Sequence, residues 1–310
     1  MNRHLEVYVG KETIEQASGK TLNFLKKVLL DVTAFTIAGS QAEEAVGIKD
    51  FAMQLWKKGD CSLFISSEKL NAVGAAFVNA SMASVFFKDY CQLLEKNDLG
   101  TMLFPALLAA AEDREVSGKE FLTSLLISYE IGLRVEKCAH QLNIDKKMDK
   151  YTWGVIGTAA GVARVLKLEG NSIEHALGLA ERYSSYAPMI DSADGALSDE
   201  DRVSWGSMTG VNSAYLAEKG ISSTSTLLSS GKEESFIKGL GEHYHVETIN
   251  QNTPYMTESE REKKFLLLTE SGIGKEKSKQ LFEMINQIER IQNIRTLTSL
   301  INKDLLKQVV

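Results

Sequence analysis

The sequence predicts an all-α protein. Three stretches carry the pattern by which a helix start satisfies its own exposed N–H groups, a small polar residue followed three positions later by Glu: Ser117–Glu120, Asn171–Glu174 and Thr257–Glu260. Each precedes an apolar run. Only three prolines (Pro105, Pro188, Pro254) interrupt 310 residues, so long helices are permitted almost everywhere. Strand-type alternation is nearly absent.

In chain order, the best strand candidate is "CSLFISSEKL", where Leu63, Phe64 and Ile65 form a short apolar run. Residues Ser81 to Asp113 read as an apolar helix that meets Lys88, Asp89, Tyr90 and Cys91. A short charged loop follows, then a small-residue helix resuming behind Pro105. A loop held between buried helices is a common place for catalytic groups. Next, Phe121, Leu125, Tyr129 and Leu133 recur every four residues beside Leu122 and Leu126, an amphipathic helix with a broad apolar face. In "WGVIGTAAGVARVLK", Gly157 and Gly161 lie one turn apart among alanines. Interior glycines cost a helix about 1 kcal/mol each, so a close helix–helix crossing is the expected compensation. Residues Ala180 to Ser207 concentrate Arg182, Asp191, Asp194, Asp199, Asp201 and Arg202, either an ion-binding site or a solvated loop. The Ser/Thr-rich Gly220–Lys232 reads as a connection. From Glu258 to Leu306 helical periodicity returns through Phe265, Leu268, Leu281, Met284, Ile285, Ile288 and Ile291.

Composition narrows the function. At 44% hydrophobic and 25% charged residues with a net charge of -6, the chain is suited to water and not to nucleic acid or an anionic membrane. The N-terminus lacks the apolar stretch of a signal peptide. The longest apolar run, Thr101–Ala111, falls short of the roughly 20 residues that span a bilayer. A cytoplasmic location is expected. Cys61, Cys91 and Cys138 form no CxxC pair and are expected as reduced thiols. Cys61 and Cys138 read as packing residues, whereas Cys91 sits in the loop. Neither Gly-x-Gly-x-x-Gly, a P-loop nor a Gly-x-Ser-x-Gly elbow occurs. His243-Tyr-His245 is the one histidine pair and lacks carboxylate or cysteine partners, so no metal is expected. His4 and His175 read as non-catalytic. His140 reads as a helix-end residue, where a cation suits the helix dipole.

Five segments, in order, resemble the MmgE/PrpD family, whose members include 2-methylcitrate dehydratase, cis-aconitate decarboxylase and iminodisuccinate epimerase. "VLLDVTAFTIAGS" from Val28 is similar to its LLDxxGxxxAG helix, and "AAFVNASMAS" from Ala75 to its VNGTxAH segment. "PALLAAAEDREVSGKEFLTSLLISYEIGLRV" is similar to the helix pair ending in GYExxxR, giving Tyr129, Glu130 and Arg134. "WGVIGTAAGVARVLKLEGNSIEHALGLA" and "SWGSMTGVNSAYLAEKGIS" match two further blocks. The resemblance implies a large all-α domain, a homodimer, and no metal or cofactor. It also implies lyase or isomerase chemistry on small carboxylates. Moving a proton beside a carboxylate needs a positioned base or acid, and cations to hold the substrate.

The departures from the family pattern fall at its site motifs. Its DFDDT motif aligns with Phe87–Cys91, "FKDYC", which keeps Asp89. Asp98 stands at the histidine of the HPS motif, and Met148 at that of GFHxTGTFG. In KxLHxGWAA the lysine aligns with Asp199 and the histidine with Arg202, while Trp205 is retained. By position, Asp89 or Asp98 is the candidate base, Tyr151 a donor and Arg202 the carboxylate anchor. Phe87, Cys91, Met148, Asp199 and Trp205 would surround the substrate. The family's α/β lid is expected to be missing. Residues 1–310 would then form a single helical domain, with 1–247 as the main core and 248–310 as C-terminal helices returning to it. Two readings stay open. One is an enzyme with an altered site acting on a small carboxylate. The other is an inactive structural or regulatory subunit, pairing with itself or with a full-length paralogue.

Overall fold

The structure, a computed structural model, describes residues 3–90, 99–141, 150–184, 199–223 and 256–302. Among these the expectation of an all-α chain holds. The helices are α1 (Arg3–Lys11), α2 (Gly19–Gly39), α3 (Glu43–Leu55), α4 (Ala72–Tyr90), α5 (Leu99–Asp113), α6 (Gly118–Gln141), α7 (Lys150–Val165), α8 (Asn171–Ser184) and α9 (Asp199–Glu218). After them come α10 (Glu258–Ile273), α11 (Lys275–Asn286) and α12 (Arg295–Asn302).

The Gly157–Gly161 stripe forms the crossing that its spacing predicts. A Cβ on Gly157 would lie 2.4 Å from the Ser128 carbonyl oxygen, and one on Gly161 would lie 2.6 Å from that of Ser124. Helices α6 and α7 therefore run antiparallel with their backbones nearly touching. Arg164 of α7 extends the seam by donating to the Glu120 carboxylate of α6 (Nη2 3.1 Å) and to the Val9 carbonyl (2.8 Å). Helix α7 also packs on α5, α8 and α9.

Three helices share one direction. Gly154 of α7 abuts Met102 of α5, Leu107 of α5 abuts Gly161 of α7, and Gly206 and Gly210 of α9 abut Val155 and Thr158 of α7. Helix α4 runs against α9, joined by the Ser81–Ser204 hydroxyl bond (2.8 Å), and against α2, where Gly39 meets Met82. The parallel helices α5, α7 and α9 end alike. A left-handed residue (Glu115, φ 52; Lys167, φ 55; Gly220, φ 82) turns the chain back. The next N–H then donates five residues back, Val116 to Ala111, Leu168 to Ala163 and Ile221 to Leu216. This is the Schellman arrangement, which satisfies the last carbonyls within the helix itself.

Local expectations fare unevenly. Thr257–Glu260 forms a full reciprocal cap. At Ser117 only half forms: its hydroxyl accepts from the Glu120 N–H (3.3 Å), but the Glu120 carboxylate is drawn to Arg164, a stronger charged partner. Asn171 is itself the first residue of α8, following Gly170 at φ 54. The strand candidate yields only a two-residue antiparallel pair, Cys61–Ser62 with Lys69–Leu70, because Leu63 and Phe64 are buried in the helical core instead. Pro105 lies inside α5 and not before it; α5 is buried on every face, and that packing offsets the lost N–H bond. The Gly220–Lys232 connection and His243–His245 lie mostly or wholly outside the described residues. No helix among the described residues is long and apolar enough to cross a membrane.

The far end of α5 carries a buried carboxyl. Glu112 is 1% exposed and accepts from the Ser62 N–H (2.8 Å), the Ser62 hydroxyl (2.8 Å) and the Thr298 hydroxyl. Its own carbonyl accepts from Arg295 Nε (3.0 Å), so one residue ties the strand pair, α5 and α12 together. Burial raises its pKa against the pull of those three donors. Cys61 is buried beside it, its thiol donating to the Ala109 carbonyl (3.2 Å), and burial together with Glu112 pushes its pKa up. This inert thiol matches its reading as a packing residue.

Two outcomes are expected. Gly157→Ala should destabilise by about 1–3 kcal/mol because α6 and α7 must part. Gly47→Ala, at an exposed site of α3 with nothing within 4 Å, should stabilise by up to about 1 kcal/mol. Urea melts of both variants check the reversal of sign. Glu112 has a folded pKa above its ordinary 4.5, so the native state holds its proton longer than the unfolded chain does. Its contribution is therefore full below that ordinary value and is lost as pH rises through the folded pKa. Glu112→Gln should gain stability relative to the natural chain as pH rises across that window, read from urea melts at successive pH values.

Candidate functional site

Of the sequence-selected positions, Tyr151, Asp199, Arg202 and Trp205 fall near the starts of α7 and α9, beside the start of α5. Three helices meet there on one side chain within their first two or so turns: Met102 of α5 would lie 2.7 Å (Sδ) from a Cβ on Gly154 of α7, and 2.5 Å (Cε) from one on Gly206 of α9. A Cβ at either position would have to displace the end of the Met102 side chain. Aligned N-termini concentrate unpaired N–H groups and partial positive charge, which suits an anion.

Two of the candidate residues are in direct contact. Arg202, in the first turn of α9, places its guanidinium carbon 5.6 Å from the ring centre of Tyr151, in the first turn of α7. The Tyr151 ring is buried and gives the cation a fixed aromatic floor. The guanidinium is planar by its own resonance, a geometry that matches the two oxygens of a carboxylate, and the ring limits where it can lie. Trp205, one turn further along α9, is 41% exposed and stands edge-on to Phe77 of α4 (5.2 Å), which touches Trp56 (5.2 Å). It packs toward α4.

Phe87 and Asp89 lie in the last turn of α4, and Asp199 is the first residue of α9. Cys91, Asp98 and Met148 lie outside the described residues. Phe86, just before Phe87, stacks on Phe35 of α2 (5.9 Å). Tyr129 is fully buried, edge-on to Phe24 (5.4 Å), with its hydroxyl oxygen 3.0 Å from where a Cβ on Gly100 would sit. Within α6, Arg134 Nε lies 3.5 Å from the Glu130 carboxylate, and both side chains are almost wholly buried. His140 is exposed near the end of α6, in keeping with its reading as a helix-end residue. His175 bonds the Ser223 carbonyl (Nδ1···O 2.7 Å). Among the described residues no cluster of His, Cys, Asp and Glu could hold a metal ion.

The sequence reading missed Met102, whose neighbours lie on two other helices. It also missed a group of charges between α2 and α10. Asp31 of α2 bonds Lys264 of α10 (2.8 Å), with Arg261 at 4.0 Å and Lys27 one turn earlier on α2. A single sequence carries no signal for either grouping.

Compared with known proteins, residues 3–248 match the family model of the MmgE/PrpD N-terminal domain. No curated protein matches the chain.

If Met102 holds α5 and α9 together, Gly206→Ala and Met102→Ala should be coupled. A double-mutant cycle by chemical denaturation should give an interaction energy of about 0.5–3 kcal/mol in the rescuing direction. Strict additivity would mean the two turns do not share that contact.

Proposed function

The chain belongs to the MmgE/PrpD family, and from that premise we propose that it binds a small carboxylate at the start of α9, with Arg202 as anchor, and moves a proton beside it. The observation that carries this reading is the Arg202–Tyr151 stack beside the packed initial turns of α5, α7 and α9. A carboxylate there would meet a planar cation and the positive ends of helices, and both strengthen as negative charge builds on it.

In the proposed step a base, Asp98 or Asp89, takes the proton from the carbon next to the bound carboxylate. The electron pair moves into the carboxylate, whose added charge Arg202 holds. Returning the proton to the same carbon gives an isomerase. Expelling a group from the neighbouring carbon, with the electron pair forming a double bond, gives a lyase. Tyr151 would stiffen Arg202 and donate to substrate, and Phe87, Cys91, Met148, Asp199 and Trp205 would shape the cavity. Residues 1–310 would act as one helical domain, homodimeric and cytoplasmic, without metal or cofactor. Attachment of the C-terminal helices to the core supports the domain reading: Lys26 donates to the Asn286 carbonyl (2.6 Å), and the Gly118 N–H to that of Ile291 (2.8 Å).

A second reading has its own support. The positions of the family's histidines and lysine are Asp98, Met148, Arg202 and Asp199, so this chain would bind without turning over. It would then serve as a subunit, alone or with a full-length paralogue.

Thermal shift with di- and tricarboxylates against their uncharged amides separates these cases. A carboxylate-specific rise in Tm that disappears in Arg202→Ala supports the site. Turnover of the same ligand that is lost in Asp98→Asn or Asp89→Asn supports the enzyme. Binding with no turnover supports the subunit. No carboxylate-specific rise, or one that survives Arg202→Ala, rejects Arg202 as anchor.

A further inference from the structure

A second place in the molecule gathers positive charge, on helices that contribute nothing to the Arg202 stack. Lys27 and Asp31 lie one turn apart on α2, and Arg261 and Lys264 lie nearly one turn apart on α10. Lys264 is the best held, its ammonium 2.8 Å from Asp31 and 5.2 Å from the ring centre of Phe35. Arg261 is otherwise placed. Its side chain is only 13% exposed, yet its nearest approach to Asp31 is 4.0 Å, beyond hydrogen-bond reach. Among the described residues no hydrogen bond is made to its guanidinium, and none to the Lys27 ammonium.

Three cations thus face one carboxylate in a half-closed setting. The Arg261 guanidinium is largely covered but still reached by water, and the nearby acids do not bond it. Glu258 and Glu262 of α10 are exposed, and Glu260 is committed to the Thr257 cap. Lys26 is turned the other way, to Asn286 and Glu289. The setting registers on Lys27, whose pKa is lowered by burial first and by the charge of Arg261 second. The cluster is also open to a ligand from one side, since Lys27 and Asp31 are both partly exposed.

We propose that Lys27 and Arg261, with Lys264 beside them, form a binding site for a small oxyanion, a phosphate or carboxylate group, between α2 and α10. The five N–H donors of Arg261 supply a planar fork, and Lys27 a point charge at its edge. Asp31 fixes Lys264 and competes with the ligand for the same cations.

Isothermal titration of the full chain with inorganic phosphate tests this at low ionic strength, with chloride-matched controls. Saturable binding is expected. Lys27→Met and Arg261→Gln should each weaken it by at least about tenfold, with helicity by circular dichroism confirming that the variants fold. Asp31→Asn should tighten binding a few-fold, the reverse of what a merely structural ion pair would give. Arg202→Ala should leave it unchanged, which separates this site from the carboxylate site proposed above. The inference fails if phosphate does not saturate, or if Lys27→Met and Arg261→Gln bind as the natural chain does.

Discussion

The near-contact of α6 and α7 is the constraint on which the rest of the bundle depends. A backbone carbonyl of one helix lies where the Cβ of the other would sit, at both Gly157 and Gly161. Such an approach leaves no room for rotation or sliding, because a side chain carried onto the seam would overlap a carbonyl oxygen. Helix α7 is thereby fixed, and α5, α8 and α9 pack against it. The lost helix propensity of two interior glycines, about 2 kcal/mol together, is offset by dispersion contacts along the seam and by the Arg164–Glu120 pair that closes it.

That fixed helix explains why the site residues meet. Tyr151 starts α7 and Arg202 starts α9, and they touch because Gly206 and Gly210 let α9 lie against Val155 and Thr158 of α7. Met102 fills the space left where three such turns converge. A larger residue at Gly154 or Gly206 would have to displace the Met102 side chain or part the helices. The position of Arg202 is therefore set by backbone packing between α7 and α9.

What the sequence revealed follows from how local each cause is. The α6–α7 seam was legible because its glycines lie one turn apart in one helix. The Thr257 cap was legible because both partners lie within four residues. The Ser117 cap was half wrong because Arg164, 44 residues from Glu120, takes the carboxylate. Arg202 and Tyr151 were selected by resemblance to family motifs; nothing in their own spacing pairs positions 51 residues apart. The Asp31–Lys264 pair spans 233 residues and left no trace in one sequence. Strand pairing at Cys61–Leu70 was over-read because Leu63 and Phe64 are as suited to a helical core as to a sheet.

The two ends of the bundle are built for different tasks. At one end α5, α7 and α9 each stop with the same left-handed residue and the same five-back hydrogen bond, two of them at non-glycine positions. Placing Glu115 and Lys167 there costs roughly 1–2 kcal/mol each, yet it satisfies the last carbonyls without any side chain. The α5–α6 and α7–α8 connections at that end span only residues 114–117 and 166–170. Rigid closure at one end leaves the other free to vary in length and chemistry without loosening the helices. The N-termini of α5, α7 and α9 all point to that second end, where their aligned dipoles make a field that favours negative charge. The electrostatic bias toward an anion at that end is thus set by the backbone and does not depend on which side chains stand there.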